Sequence, residues 1–340
     1  MSQLPGPPFT ISLKAADSLA KIVESVTRLD LGTDFRLDVR LHRQHQVQAI
    51  YSSLAIEGNL LSAAEVSDVL NGRPVWGRPA DIQEVKKAHA AYSQLLAFDP
   101  YNVEDLLTAH GLMTEGLIRE AGQFRGGDVA VFDGEVPVHA GARPTFVPGL
   151  VVDLFDWARE SDLHPVLRSA IVHCELETIH PFADGNGRIG RLWQTLILAR
   201  WNDVFASLPM ESVIFSNRPH YYQALRSAQR DNDATVFIEF SLRAILRAID
   251  DVLVTYGARH SASVGATDGG RSGGRRSAQR VADAILKALR DDPRLTTAEL
   301  SDLLGVSPRT VDRHVSTLKA SGQLRREGST KAGRWVVSTP

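Results

Sequence analysis

Between His180 and Arg191 the chain reads HPFADGNGRIGR, and the flanks of this segment fix what it can be. Leu167, Ala170, Ile171 and Cys174 recur at helical spacing and predict a core helix over about 166–178. Ile189, Leu192, Trp193, Leu196 and Ile197 repeat the period and predict a second helix over about 188–200. The motif is therefore a loop between two buried helices. Pro181 biases His180 away from helical geometry, and Gly185 and Gly187 permit positive φ, so the loop can turn sharply and aim backbone N–H groups into one cavity.

Such a cavity at a helix N-terminus favours phosphate, because free amides and the helix dipole both favour anions. Arg188 and Arg191, three apart in the first turn, are expected to project to one side and clamp further phosphates. Asp184 offers a hard oxygen ligand suited to Mg²⁺. His180 has a near-neutral pKa by type and suits removal of a proton from an incoming hydroxyl. The plain alternative, a glycine-rich connector with its charges in water, leaves the agreement of every position with one phosphate-binding geometry unexplained.

At these residues the chain resembles the Fic family, whose signature H-P-F-x-[D/E]-G-N-G-R-x-x-R is matched from His180 to Arg191. The resemblance implies a mainly α fold, a Fic-type helical bundle with a small β-hairpin flap. It also implies transfer of AMP from ATP to a hydroxyl side chain of a target protein, with release of pyrophosphate. His180 would be the general base, Asp184 would hold Mg²⁺, and Gly185, Asn186 and Gly187 would form the anion hole for the α-phosphate. Arg188 and Arg191 would bind the β- and γ-phosphates, with Gly190 counted among the nucleotide-binding residues. The related phosphotransferase branch departs from the signature at the Gly-Asn-Gly turn, which this chain keeps.

Upstream, Val47, Ile50, Tyr51 and Leu54 form an apolar stripe, and Glu57 follows on the same face before Gly58, which reads as a helix stop. A carboxylate at a helix C-terminus facing the interior needs a cation, so Glu57 is expected to be a buried anion paired with an arginine. Residues 53–58, SLAIEG, are similar to the family's [S/T]-x-x-x-E-[G/N] inhibitory motif. That similarity implies that Glu57 pairs with Arg191, blocks seating of the γ-phosphate and leaves the protein mostly switched off. In some family members the same glutamate orients a water that removes AMP, and that reading stays open. Homo-oligomer formation is a further open element of such inhibition.

Asp128 to Val138 alternates like a short β-hairpin around Asp133-Gly134. In the family the equivalent flap adds a strand to the target segment, and Val129, Val131 and Phe132 would bias target choice. The stretch PHYYQALRSAQRDND resembles a family segment that sits by the nucleotide base, here through Tyr221 and Gln229; a helix using its tyrosines as core is the alternative.

With 340 residues, two domains are the prior expectation. The single Cys174 excludes an intrachain disulfide and a cysteine-based zinc cluster. The opening residues lack an apolar signal region and no run reaches about 18 apolar residues, so a cytoplasmic location and no membrane are expected. Residues 258–276, rich in Gly and Ser, read as a flexible linker after an N-terminal helical region (1–110) and a catalytic core (111–257). Beyond it, residues 271–340 carry fourteen Lys and Arg against seven Asp and Glu, a net of +7; the whole chain is −2, leaving −9 on residues 1–270. This basic tail (277–340) reads as helices over 278–289, 297–304 and 308–320, then two short strands around a basic loop.

TTAELSDLLGVSPRTVDRHVSTLKASGQL resembles prokaryotic winged helix-turn-helix regulators. By that resemblance Arg309, Thr310, Arg313 and His314 would face a DNA major groove, and Lys331 and Arg334 in the wing would contact phosphates; protein docking is the alternative. Two functions thus compete. One is an autoinhibited protein adenylyltransferase. The other is a DNA-binding regulator whose Fic core senses nucleotide, or uses another donor such as UTP.

Overall fold

The computed structural model describes residues 6–31, 39–133 and 136–264, and of the C-terminal part 282, 285–286, 288–290, 293, 295–304, 308–327 and 334–337. The chain divides into two compact units, Met1–Thr27 with Gln44–Val252, and Arg28–Arg43 with Leu253–Pro340. The expected segments 1–110 and 111–257 therefore pack largely as one body.

The helices in order are α1 (Leu13–Leu31), α2 (Val39–Ile56), α3 (Ala63–Leu70), α4 (Pro79–Ser93) and α5 (Val103–Thr114). After the hairpin β1 (Ala130–Asp133) and β2 (Val136–Ala140) come α6 (Val147–Glu160), α7 (Pro165–Ile179), α8 (Asn186–Trp201), α9 (Met210–Ser216), α10 (Arg218–Asp231) and α11 (Thr235–Val264). α7 and α8 are the two core helices that the apolar periods predict, and α8 is buried on all sides. Trp193 anchors it, stacked between Phe98 and Phe155 with its indole N–H donating to the Pro100 carbonyl (2.9 Å). A second cluster joins Ile50 and Leu54 of α2 to Val66 and Val69 of α3 and Val85 and Ala88 of α4. α3 is held by the capping box that Ser62 and Glu65 form.

α5 ends at Thr114, because Gly116 (φ +76°) takes a left-handed conformation that breaks the helix. α11 continues to Val264, so the first residues of the expected 258–276 linker are helical; residues 265–276 lie outside the described residues.

In the second unit, α12 (Thr297–Leu304) and α13 (Pro308–Ala320) are followed by the antiparallel strands β3 (Leu324–Glu327) and β4 (Arg334–Val337). Ile285, Leu289, Leu300, Val311, Leu318, Leu324 and Trp335 form its core. Arg313 is exposed and Thr310 half-buried on α13. His314 corrects the expectation. It is 7% exposed, and burial holds its imidazole below the usual histidine range, so it belongs to the interior rather than to a groove-facing surface. Arg309 and Arg334 lie on α13 and β4, with side chains outside the described set, and Lys331 lies outside the described residues.

Candidate active site

His180 is the C-cap of α7 and the hinge of the loop. It takes a left-handed conformation (φ 53°, ψ 63°), which carries the chain sharply from α7 into the motif. Its Nδ1 lies 3.4 Å from the Glu177 carbonyl, and since a carbonyl can only accept, this contact places the proton on Nδ1 and leaves Nε2 as the basic nitrogen. Gly185 (φ +86°) is the N-cap of α8, so the first amides of the helix, which have no intrahelical partner, receive no side-chain cap from it. Asn186 staples the loop: its Oδ1 accepts from the Phe182 N–H and its Nδ2 donates to the Phe182 carbonyl, both at 2.9 Å. The side chain expected at the anion hole is thus committed to the loop, and Asn186 offers the hole only its backbone.

Two residues that the sequence did not single out fasten this loop. His110 of α5 is fully buried and stacks on Phe182 at 3.7 Å. Its Nδ1 accepts from the Gly122 N–H (3.0 Å), so its Nε2 carries the proton and donates to the Asp184 carbonyl (3.0 Å). Burial holds its pKa down at about 4, so it remains neutral. Arg125, 2% exposed, donates to the carbonyls of His180 (2.7 Å), Gly127 (2.7 Å) and Ala142, tying the motif to the base of the hairpin.

That hairpin is the predicted one. β1 and β2 pair antiparallel with an irregularity between Val131 and Phe132. Val129, just before β1, is half-buried. Val131 and Phe132 lie on β1, their side chains outside the described set, as are residues 134–135 at the turn.

The arginines lie deep, and the expected pair of Arg191 with Glu57 is present. Arg188 and Arg191 are 3% and 1% exposed and lie beneath the cleft, each screened by an acid. Arg188 Nη2 is 3.3 Å from Asp184 Oδ2, and its Nη1 is 3.7 Å from Glu84 Oε1. Arg191 donates from Nη2 to Glu57 Oε1 (2.7 Å) and the Ser53 carbonyl (3.0 Å), and from Nε to Ser53 Oγ (3.2 Å). Burial disfavours the charged guanidinium, but the Glu57 carboxylate outweighs it and the pKa of Arg191 rises. Nε and Nη1 of Arg188 and Nη1 of Arg191 are buried without a hydrogen-bond acceptor, three cationic donors that suit anionic oxygens.

Glu57 follows the last residue of α2, and Gly58 (φ +94°) ends the helix as expected. Its side chain is 34% exposed rather than buried, because it reaches into the mouth of a cleft. The carboxylate rests directly on Gly187, where a Cβ would collide with its Oε1. Glu57 thus covers the N-terminus of α8 and Arg191 together.

The cleft holds about 510 Å³ and is lined by Glu57, Glu177, His180, the stretch from Ala183 to Gly187, and residues of α10. Gln229 lines it and donates from Nε2 to the Glu177 carbonyl (3.3 Å). Tyr221 reaches it only from the core side: it is 1% exposed, with its hydroxyl near His173 Nε2 (3.1 Å) and Glu177 Oε1 (3.5 Å). Gly190, expected among nucleotide-binding residues, is buried away from the cleft, with a Cβ there 2.7 Å from His173 Cδ2. It is a packing glycine. A larger groove of about 690 Å³, lined by Ser212, His220, Arg243 and Arg247 among others, contains none of the motif residues.

Asp184 is at the rim with its side chain 62% exposed, and Oδ1 accepts the Gly185 N–H at 2.6 Å. Among the described residues no group of three or more His, Cys, Asp or Glu could hold a metal ion. A hard cation at Asp184 would thus draw most of its oxygens from phosphate and water, as Mg²⁺ commonly does. No described helix is long and apolar enough to cross a membrane.

The chain matches the Fic/DOC family over residues 100–198 and the winged helix-turn-helix DNA-binding family over 284–325. It is 29% identical over 232 residues to a protein adenylyltransferase Fic of Nematostella vectensis, covering 64% of this chain and 51% of that one. The chain spans about half the length of the curated relatives it matches. Fic-1 of C. elegans (residues 134–508) shares the fold, with a TM-score of 0.57 and 23% identity over 72% of this chain and 74% of that one. The crystal structure of a Fic family protein from Desulfovibrio desulfuricans G20 is 34% identical, covers 99% of both chains and superposes with a TM-score of 0.72. With the motif geometry, this match over nearly the full length of both chains establishes that the chain belongs to the Fic family.

Proposed function

We propose that this protein is an autoinhibited protein adenylyltransferase that moves AMP from ATP to a hydroxyl side chain of a target protein. The observation that carries the reading is the Glu57 carboxylate seated on Gly187 and bound to Arg191 at 2.7 Å, an anion in the place where a triphosphate would lie. Unpaired cationic N–H groups of Arg188 and Arg191 beneath it support the same reading, as do relatives named protein adenylyltransferase. With Glu57 withdrawn, the amides of the α8 N-terminus receive the α-phosphate, and Arg188 and Arg191 the outer phosphates. Asp184 is the residue that would hold Mg²⁺, which supplies charge neutralisation of the phosphates when bound. The hairpin presents the target segment by strand addition. His180, with Nε2 as its basic nitrogen, removes the proton as the target oxygen bonds to the α-phosphorus and the bond to pyrophosphate breaks. Oriented amides and buried cations supply the stabilisation of developing charge.

The basic second unit supports a DNA-binding role through α13, with Arg313 as an exposed cation on it; a cytoplasmic location fits both activities. Removal of AMP by a Glu57-oriented water and use of another nucleotide are alternatives that the labelling test separates. That test incubates the full chain with Mg²⁺ and α-labelled ATP, comparing wild type, Glu57→Gly and Glu57→Gly/His180→Ala, with self-labelling and lysate labelling recorded. Strong labelling by Glu57→Gly alone is expected. No labelling by any variant while all bind ATP would favour a nucleotide-sensing regulator. Stronger labelling with UTP would reassign the donor.

A further inference from the structure

Glu177 is on α7, three residues before His180, 8% exposed, and lines the floor of the cleft. Gly187 and Gly190 lie three apart on one face of α8. The Glu57 carboxylate rests over the first, and Glu177 Oε1 would be 3.1 Å from a Cβ on the second. Two acids thus share one helix face because both positions lack a side chain. The cation they share, Arg191, already donates to Glu57 and Ser53.

The nearest other groups to Glu177 are uncharged. His173 Nε2 is 3.9 Å away, but burial holds that imidazole neutral, with a pKa of about 3. The His173 ring donates from Nδ1 to Gln194 Oε1 (2.7 Å), so Nε2 accepts, and the Tyr221 hydroxyl at 3.1 Å is its donor. That hydroxyl has one proton to give and its nearer acceptor is His173, so its 3.5 Å approach to Glu177 Oε1 leaves the carboxyl with only a weak donor. Across the cleft α10 brings Arg218, Tyr222 and Arg226, and the motif loop brings Asp184 and His180 to the rim. Burial first, then the Glu57 charge, push the Glu177 carboxyl up to about 7 against the pull of Arg191.

We propose that Glu177 is the charge-compensating residue of the nucleotide seat, taking up a proton when an anion lies above Gly187, whether the Glu57 carboxylate or a nucleotide phosphate, and releasing it when that place is cleared. The proposal rests on the nucleotide reading of the cleft. A nucleotide entering the cleared site then carries a proton in with it: the Glu177 carboxylate takes one H⁺ from solvent and becomes a carboxylic acid, and no other bond changes. Since the bound state holds the extra proton, affinity falls as pH rises through the Glu177 titration of the bound state, by up to about tenfold per pH unit for one linked proton.

The test is calorimetric titration of the full chain with a non-hydrolysable ATP analogue from pH 6.5 to 8.5, each pH in two buffers of different ionisation enthalpy. The pair compared is Glu57→Gly and Glu57→Gly/Glu177→Gln, with Glu57→Gly/Glu177→Leu as a second uncharged variant and thermal unfolding as the check of folding. The Glu57→Gly protein is expected to take up more protons per nucleotide than either double variant and to lose affinity with rising pH. Both double variants are expected to show a flatter dependence. Titration of the nucleotide's own phosphate contributes equally to all three and cancels in the difference. Equal proton uptake and equal pH slopes among variants that bind would overturn the proposal. Failure of every variant to bind nucleotide would instead overturn the nucleotide reading, and the proposal with it.

Discussion

Gly187→Ala and Gly190→Ala add the same methyl group three residues apart in one motif, and the structure assigns them opposite consequences. At Gly190 the new Cβ would stand 2.7 Å from His173 Cδ2 and 3.1 Å from Glu177 Oε1. The His173 ring cannot slide away freely, because both nitrogens are engaged (2.7 Å to Gln194, 3.1 Å to Tyr221) and Phe237 packs edge-on at 5.1 Å. Overpacking of this kind costs roughly 1–3 kcal/mol, and losing a buried hydrogen bond adds about 1 kcal/mol. Replacing a helical glycine returns about 0.5–1 kcal/mol. A net loss of about 2 kcal/mol corresponds to a fall of roughly 4–8 °C in Tm for a unit of this size. At Gly187 the atom met is the carboxylate of Glu57, a side chain 34% exposed that can turn outward, and the helical gain remains. Gly187→Ala should therefore melt near the wild type. In the Glu57→Gly background, which clears the seat, it should still lose the rise in Tm that ATP gives, because the methyl stands where phosphate would lie. Thermal unfolding with and without ATP reads both effects. The reasoning fails if Gly190→Ala melts with the wild type, or if Gly187→Ala loses as much stability as Gly190→Ala.

Two further outcomes follow from buried histidines. The folded-state pKa of His110, about 4, lies below its unfolded value of 6.5, so the unfolded chain binds the proton first; its contribution to stability is present above pH 6.5 and is lost as pH falls from there to about 4. His110→Phe, which keeps the ring over Phe182, should flatten urea-measured stability across that window relative to wild type; an unchanged slope would contradict the neutral assignment. In the second unit, Arg313→Ala should weaken DNA binding and reduce its salt slope by about one, whereas His314→Ala should lower thermal stability, since the first side chain is exposed and the second 7% exposed. Loss of DNA binding by a fully folded His314→Ala protein would reverse that division.

The loop between two buried helices was legible because it depends on apolar spacing alone, and Pro181, Gly185 and the Glu57-Gly58 helix stop are local signals of backbone geometry. Arg125 was not legible, since its value lies in carbonyls brought to it from residues up to 55 positions away. The expected Glu57–Arg191 pair is present, but the depth of Arg188 and Arg191 was not legible, because α8 is buried on every side. His314 was expected to face a groove, yet it falls three after Val311 and four before Leu318, on the buried stripe of α13. The same spacing rule would have found Glu177, three after Cys174 and seven after Ala170 on the stripe of α7. A polar residue at an apolar position is costly to bury unless something pairs with it. Arg191 is paired by Glu57 and Ser53, and burial holds the His314 imidazole below its usual range. Glu177, with its shared cation already committed to Glu57, is left to settle its charge by taking a proton, and this is the residue of the site whose state should change most when the anion above Gly187 is exchanged.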